Sequence, residues 1–280
     1  MTITAWFDGW RRGVKAAAWR RAGRVPGAAG HGAARWLAIE AAVSGATAGR
    51  YGWDDVGIDE RVVEYAWLFE RMRALAAPDS RALDAGSVLN YPQVLAEWRR
   101  ANLPWVSIVT LKFEGYADPS DNVRYEFADL RHLPYRDEWF STVLSLSTLE
   151  HVGLDNRIYG AGGGVAADVG AELARALHEL HRVTRRGGTL LASVPYGLRS
   201  NRGWFRIFDA DDLARLTGSP GWTNPRLRYF RQTREGWREQ AAKDAADAGY
   251  NEPLNRPGQQ TAPACVSGAE AVVLVEMTRT

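Results

Sequence analysis

Between Arg81 and Pro195, short apolar runs typical of β-strands alternate with longer runs that have helical spacing. A strand, a helix and a further strand in this order form a unit in which the two strands run parallel and the helix crosses between them. The alternation therefore predicts a mostly parallel sheet with helices on its faces. The predicted strands are 82–86, 106–111, 124–128, 141–147 and 189–194, and the predicted helices between them are 92–100 and 169–184.

The chain has 280 residues, which is enough for one α/β domain with an extension and short for two independent domains. We expect an N-terminal helical extension or lid over residues 1–77 and an α/β domain over residues 78–280. The extension is predicted to contain a helix at 59–75. It also has an apolar stripe at helical spacing, formed by Ile3, Phe7, Trp10 and Val14.

After Pro195 the pattern changes. A short helix is predicted at 209–216, and the segments 227–233 and 271–277 have the composition of strands. Two closing strands after five parallel ones predict an antiparallel hairpin at one edge of the sheet. The Arg186-Gly187-Gly188 segment is predicted to be the turn that ends the helix before the fifth strand.

The formal net charge of +2 is close to neutral, so nothing in the overall charge predicts nucleic acid as a partner. Cys265 is the single cysteine, which excludes an intrachain disulfide and a cysteine metal cluster and fits a reducing cytoplasm. No uninterrupted apolar run is long enough to span a bilayer. We therefore expect a cytoplasmic protein without stable membrane insertion and without a metal site.

Polar residues follow three of the predicted strands directly. The candidate residues are Asp84, Ser87 and Asn90 with Gly86 around the first strand end, Asp129 with the apolar Leu130 after the third, and Ser147, Glu150 and His151 after the fourth. In an open α/β sheet the carboxyl ends of parallel strands meet at one edge, and ligands bind there where the strand order reverses. The sequence therefore predicts a ligand site at this edge.

These residue types suggest particular roles. Gly86 allows a tight turn and a close approach of the backbone to a ligand. Asp129 can accept a hydrogen bond from an exocyclic amine such as that of adenine. His151 can act as a general base near neutral pH, oriented by Glu150 or Asp155. The alternative for each residue is structural: a turn, a helix cap or a satisfied core histidine.

Taken together, these segments resemble the class I S-adenosylmethionine (SAM)-dependent methyltransferases. Asp84-Ala85-Gly86 stands where that family has its first glycine-rich motif, and Asp129 matches the acid that the family places near adenine. Val183 to Leu190 is similar to the turn before the fifth strand. The nearest resemblance is to a bacterial branch, through residues 86–90 and 147–156, and it covers about Gly49 to Thr280.

The resemblance implies a Rossmann-like fold with a mostly parallel, seven-stranded sheet that ends in an antiparallel hairpin. It also implies methyl transfer from SAM to a small polar metabolite or sugar in a biosynthetic pathway. The implied cofactor-binding residues are Asp84, Gly86, Ser87, Asn90, Asp129, Leu130 and Ser147. The implied catalytic residues are His151, Glu150 and Tyr159. A small molecule is the expected partner, and a homodimer is an open alternative to a monomer.

The sequence departs from the family pattern in two places. Only Gly86 is present in the glycine-rich loop, and the side chains of Val88 and Leu89 are expected to keep a ligand away from the backbone. After Leu111 there is no acid to hold ribose hydroxyls, as dinucleotide folds have at that point.

Two other functions therefore stay open. The first is a SAM-independent elimination or cyclisation that uses His151, Glu150 or Asp209 as base and an arginine to bind an anion. The candidate arginines are Arg131, Arg157, Arg199 and Arg206. The second is a non-enzymatic role, in which the apolar stripe and the arginine-rich segment beside it dock on a protein or a membrane surface.

Overall fold

The computed structural model describes residues 3–23, 29–44, 52–53, 57–113, 122–251 and 268–280. The helices are α1 (Ile3–Arg21), α2 (His31–Val43), α3 (Arg61–Leu75), α4 (Pro92–Arg100), α5 (Val169–Val183), α6 (Ala210–Thr217) and α7 (Ala242–Ala245). The strands are β1 (Gly52–Trp53), β2 (Arg81–Ala85), β3 (Trp105–Thr110), β4 (Val123–Phe127), β5 (Phe140–Leu146), β6 (Thr184–Pro195), β7 (Ser200–Asn201), β8 (Arg206–Ile207), β9 (Trp222–Thr233), β10 (Gly236–Gln240), β11 (Tyr250–Asn251), β12 (Gly268–Ala269) and β13 (Ala271–Arg279).

Nine of these strands form one sheet in the order β1-β10-β9-β13-β6-β5-β2-β3-β4. Strands β2 to β6 are parallel to one another. From β2 the chain first builds outward through β3 and β4, and it then returns to place β5 and β6 on the other side of β2. The order therefore reverses between β2 and β5, where open α/β sheets bind ligands. This confirms the predicted Rossmann-like fold class, although the sheet has nine strands where seven were expected.

The two closing strands are antiparallel, as predicted, but they do not form the edge of the sheet. β13 lies between β6 and β9, and β10 and β1 extend the sheet beyond β9. Trp237 in β10 is fully buried, and its indole Nε1 donates a hydrogen bond of 2.8 Å to the Ile58 carbonyl. The chain segment before α3 therefore contacts the sheet at the edge formed by β10 and β1, which the sequence did not predict.

The Arg186-Gly187-Gly188 segment lies inside β6 and is not the turn that ends α5, so that prediction was wrong. The helix ends at Val183. The pairing with β5 shifts between Thr184 and Thr189, so the glycines belong to a bulge in the strand. Gly187 has a φ of 69°, a left-handed conformation that a glycine adopts without strain.

The helices cover both faces of the sheet. On one face, Trp19 of α1, Ile39 of α2 and Leu68 of α3 belong to the same apolar cluster as Val106 and Ile108 of β3. On the other face, residues of α5 and α6 pack on β5, β6 and β13.

The predicted boundary between residues 77 and 78 stays a prediction, although α1 to α3 share a core with the sheet. Trp10 and Val14 of the predicted stripe are exposed, and the side chains of Ile3 and Phe7 lie outside the described part. None of the described helices is long and apolar enough to cross a membrane.

Candidate active site

A cavity of about 510 Å³ opens at the carboxyl ends of β2, β3, β4 and β5. This is the edge that the sequence predicted, and the volume lies in the ordinary range for small-molecule sites, roughly 300–1,000 Å³. A larger hollow of about 820 Å³ lies at the opposite edge, where β2 and β3 begin. The predicted residues on the wall of the first cavity are Gly86, Ser87, Asn90, Asp129, Leu130, Ser147, His151 and Tyr159.

Gly86 forms the floor of this cavity in a conformation that requires glycine. Its φ is 131°, and a Cβ atom at this position would overlap the side chain of Thr148. The next residue, Ser87, has a left-handed φ of 61°, which is uncommon for a residue with a side chain. The chain therefore turns sharply just after β2, and its backbone lies directly below the cavity.

Asp84 is placed beneath this loop and not on the cavity wall, which corrects its predicted role. Its carboxylate is fully buried and accepts hydrogen bonds from the backbone N–H of Val88 at 3.2 Å and Leu89 at 2.7 Å. Asp84 thus fixes the shape of the loop.

Leu89 does not line the cavity, and Val88 lines it but is almost completely buried. Both residues are buried and belong to the apolar cluster beneath the loop. The Val88 carbonyl accepts a hydrogen bond of 2.5 Å from the Tyr65 hydroxyl of α3, which fixes the loop from below. The residues that stand in place of the missing glycines therefore pack in the apolar core, and a cavity remains beside Gly86.

Asp129 lies on the cavity wall just after β4, and Arg131 holds its carboxylate. The Arg131 Nε donates to Oδ1 and Oδ2 of Asp129 at 2.9 and 3.0 Å, and Nη1 of the same guanidinium contacts Glu172 of α5. Burial alone would raise the pKa of Asp129, but the hydrogen bonds from Arg131 outweigh it, and the pKa is lowered. Asp129 is therefore an ionised acceptor at neutral pH.

After β3 the wall contains Thr110, Leu111 and Phe113, and no acid stands there among the residues described up to Phe113, while Glu114 lies outside the described part. The nearby cation Lys112 lies against Gly160, where an added Cβ would come within 2.8 Å of Nζ. Leu111 and Phe113 are largely exposed. This wall therefore offers apolar surface and the Thr110 hydroxyl in place of a carboxylate.

Ser147 follows β5 with a left-handed φ of 43°, and a carboxylate from α3 holds it there. The Glu64 Oε1 accepts hydrogen bonds from the hydroxyls of Ser147 at 2.6 Å and Ser193 at 2.5 Å, while Oε2 accepts one from Arg61 at 2.5 Å. Glu64 is fully buried and Arg61 lines the cavity. The sequence analysis missed both residues, because no local pattern connects α3 with the strand ends.

His151 lies on the cavity wall with its imidazole largely buried. Nδ1 is 2.8 Å from the Trp204 carbonyl, and the ring stacks on the Trp204 indole with centroids 5.3 Å apart. Because a carbonyl only accepts hydrogen bonds, Nδ1 carries the proton and Nε2 has the free electron pair. Burial lowers the pKa of His151 to about 4, and the Trp204 carbonyl opposes this shift. The imidazole is therefore neutral at pH 7.

Glu150 and Asp155 do not orient His151, in contrast to the prediction; the Trp204 carbonyl does. The Glu150 Oε1 is 3.8 Å from Nε2 of His151, too far for a hydrogen bond, and Asp155 pairs with Arg157. Glu150 is buried and does not line the cavity. Burial raises its pKa well above the ordinary value, so it is protonated more readily than an exposed glutamate.

Tyr159 stands at the mouth of the cavity and is about half exposed. Its hydroxyl is 3.4 Å from Nε2 of His151. The exposed Ile158 lines the mouth beside it. A ligand that enters the cavity therefore passes the phenol, the imidazole and an apolar rim.

The strand order, the sharp turn at Gly86 and the ionised acceptor at Asp129 define an α/β fold with a small-molecule site at its topological switch point. Residues 109–192 match the sequence family described as "Methyltransferase domain". This segment runs from the end of β3 into β6. Together with the strand order, the match identifies a methyltransferase-like segment within a Rossmann-like α/β fold. It supports a methyltransferase with SAM as its cofactor, as the sequence predicted.

No curated protein matches the sequence significantly. Among solved structures, the chain is similar to 1,6-didemethyltoxoflavin-N1-methyltransferase from Burkholderia thailandensis, with 15% identity, coverage of 100% of this chain and 92% of that chain, and a TM-score of 0.46. YcgJ from Bacillus subtilis is 13% identical, with coverage of 76% of this chain and 97% of that chain and a TM-score of 0.45. The [4+2]-cyclase SpnF is 18% identical, with coverage of 69% of this chain and 71% of that chain and a TM-score of 0.44. At these TM-scores the three structures carry no argument about function.

Proposed function

We propose that the protein transfers the methyl group of SAM to a small polar acceptor, such as a sugar or another metabolite of a biosynthetic pathway. One observation carries the proposal. The segment that matches the methyltransferase family supplies three walls of the cavity, at the ends of β3, β4 and β5. The Gly86 turn after β2 forms the floor of the cavity.

The residues of the cavity fit a nucleoside cofactor. Gly86 and Ser87 line the cavity, and the neighbouring Val88 and Leu89 belong to the apolar core. We assign cofactor binding to Gly86, Ser87, Asn90, Asp129, Leu130 and Ser147. Among these, Asp129 suits an exocyclic amine and Leu130 suits the face of a base. When bound, SAM supplies an electrophilic methyl group.

The contribution of the chain is mainly to position the reactants and to exclude water. Holding two reactants in a productive geometry lowers a barrier by roughly 7–11 kcal/mol. A general base adds typically about 10²–10⁴-fold. Nε2 of His151 can take the proton of a hydroxyl acceptor, with Tyr159 beside it. Since the pKa of His151 is about 4, it is a weak base, and we expect the base to be the smaller contribution.

Calorimetric titration with S-adenosylhomocysteine tests cofactor binding. We expect saturable heat for the unaltered protein and a dissociation constant raised about tenfold or more in Asp129→Asn, because a charged acceptor is lost. The matched control is Asp137→Asn, which makes the same change at an exposed carboxylate that pairs with Arg182. No heat at millimolar ligand, or equal affinities in all three proteins, contradicts the assignment.

A screen of hydroxyl and amine metabolites with radiolabelled SAM tests the reaction. His151→Gln should lower kcat about a hundredfold or more while the affinity for S-adenosylhomocysteine stays unchanged. If a metabolite is converted equally well without SAM, the methyl-transfer proposal fails. An elimination or cyclisation on the same fold is then the better account.

A further inference from the structure

A second cavity, of about 420 Å³, lies outside the active site between α5, the hairpin β7–β8 and α6. Three arginines line it: Arg199 before β7, Arg206 in β8 and Arg215 in α6. The sequence pointed to two of them as anion-binding candidates. The structure shows that their surroundings differ from those of the other two candidates, Arg131 and Arg157.

Arg131 and Arg157 are both held by neighbouring carboxylates, through Asp129 and Asp155. Arg206 has no such partner among the described residues. Its Nε and Nη2 are enclosed and have no hydrogen-bond acceptor among the described residues, while the guanidinium lies 4.6 Å from the centre of the Phe208 ring. Buried donors without acceptors are rare in folded proteins, and one of their explanations is an ion or ligand that completes the site.

The charges around Arg206 are unbalanced. Asp212 is almost completely buried, and Arg199 and Arg215 approach it at 3.4 and 3.1 Å. One carboxylate therefore faces three guanidinium groups. The other carboxylate on the cavity wall, Asp168, already accepts a hydrogen bond from the first turn of α5. The cavity thus has an excess of positive charge.

We propose that this cavity binds a phosphate group, and that Arg206 is its principal donor together with Arg199 and Arg215. A phosphate group carries a charge of about −1.5 to −2 at neutral pH and has three strong acceptor oxygens. Planar guanidinium groups bind such oxygens in pairs, and this geometry distinguishes arginine from lysine at phosphate sites. The size of the cavity allows a small phosphorylated molecule as well as the free ion.

The hairpin β7–β8 lines the second cavity and contacts one residue of the active site. Trp204 stacks on His151 at the active site, and Arg206, two residues further along the chain, lines the second cavity. The proposed phosphate site is therefore next to the active site in the fold. The proposal does not depend on methyl transfer, since it rests on the unsatisfied donors and the charges alone.

The test is the melting temperature and calorimetric binding of the full chain with inorganic phosphate, against potassium chloride at the same ionic strength. We expect phosphate to raise the melting temperature and chloride to have a much smaller effect. Arg206→Met should weaken phosphate binding at least about tenfold, the loss of one charged contact. Without phosphate, Arg206→Met should melt no lower than the unaltered protein, because a buried charge without acceptors is removed.

Arg215→Gln provides a second test on a side chain that is 65% exposed and whose loss does not threaten folding. It should also weaken phosphate binding. Arg202→Gln removes the same charge from the same hairpin at an exposed position and should bind phosphate as the unaltered protein does. Equal binding in Arg206→Met, equal weakening in Arg202→Gln, or no effect of phosphate beyond that of chloride overturns the proposal. So does a lower melting temperature of phosphate-free Arg206→Met.

A parallel titration with glycerol 3-phosphate distinguishes the two possible sources of the phosphate group, a phosphorylated small molecule and the free ion. Tighter binding of the monoester than of inorganic phosphate supports the site as one for a phosphorylated small molecule. Tighter binding of inorganic phosphate supports it as a site for the free ion. Either result supports the proposal only if Arg206→Met also weakens binding of the same ligand.

Discussion

Single backbone conformations decide the shape of the candidate active site. Gly86 and Ser147 end two neighbouring strands with left-handed φ values, of 131° and 43°. Such conformations persist where the surrounding structure holds them. Asp84 fixes the loop after Gly86, and Glu64 holds the Ser147 hydroxyl. The cavity is therefore shaped by buried carboxylates that stand behind it.

Gly86→Ala should remove cofactor binding and lower the free energy of unfolding by about 2 kcal/mol or more. The left-handed φ disfavours a Cβ, and the Thr148 side chain fills the space that it would need. Urea unfolding and titration with S-adenosylhomocysteine measure the two effects. Gly162→Ala is the matched control, since an added Cβ there meets no atom within 4 Å. Unchanged binding in Gly86→Ala speaks against a ligand above this turn.

His151 should stay neutral down to about pH 5, because burial lowers its pKa to about 4. The ring resonances of His151, assigned by comparison with His151→Gln, should show a protonation midpoint near pH 4. The histidines of the urea-unfolded chain should have midpoints near 6.5. A midpoint of about 6.5 for His151 in the folded protein contradicts the stacked, buried geometry.

The same pKa has a consequence for stability. The folded pKa lies below the unfolded one, so the unfolded chain binds more protons between about pH 6.5 and pH 4. The stabilisation from neutral His151 is complete above pH 6.5 and is lost as the pH falls through this window. Relative to His151→Gln, the unaltered protein should lose about 2–3 kcal/mol of unfolding free energy between pH 7 and pH 4. A constant difference between the two proteins over this range refutes the prediction.

Among the secondary-structure elements, α3 connects the helical layer with the active site. Glu64 of this helix accepts hydrogen bonds from Ser147, Ser193 and Arg61. The Tyr65 hydroxyl, on the same helix, donates to the loop after β2. The helix therefore sets the position of two strand-end loops at once.

Glu64→Ala should destabilise the protein by about 3–5 kcal/mol, because it leaves the Arg61 charge and two hydroxyls without their acceptor. The control is Glu40→Ala in α2, which breaks an ion pair with Arg12 whose side chains are 35% and 34% exposed. A loss of at most about 1 kcal/mol is expected there. Chemical unfolding measures the free energy of unfolding of both variants. Similar losses in the two would contradict the large stabilisation assigned to the Glu64 hydrogen bonds.

The sequence predicted the buried strands well and the short ones not at all. β3, β4 and β5 lie within one residue of their predicted bounds. Continuous apolar and β-branched runs identify the buried β3 and β5, whereas β4 is only partly buried. β1, β7 and β8 have two residues each, too few for a periodic pattern. The bulge at Gly187 was read as a turn because a glycine pair is typical of both.

The candidate site was predictable where it follows a strand. Gly86, Asp129 and His151 were found because residues just after parallel strands converge in space. Arg61, Glu64 and the Trp204 carbonyl were not, since each reaches the site through a tertiary contact with no local signal. Glu150 was assigned to the cavity from its place beside His151, but neighbours in a short helical turn point in different directions.

At the scale of the whole molecule, the sheet places the methyltransferase-family segment and the Gly86 turn around one cavity. The helical layer of α1 to α3 closes the sheet from one face, and the phosphate site that we propose lies beyond the hairpin β7–β8. The homodimer stays a prediction, which the mass of the full chain in solution can test. We propose that the cofactor binds in the space above Gly86.

A crystal structure of the full chain grown with S-adenosylhomocysteine tests that claim most directly. The account predicts ligand density in the cavity, with adenosine between Gly86 and Asp129 and the sulfur directed toward His151. Density elsewhere on the molecule, or a cavity without ligand in crystals grown at millimolar S-adenosylhomocysteine, contradicts it.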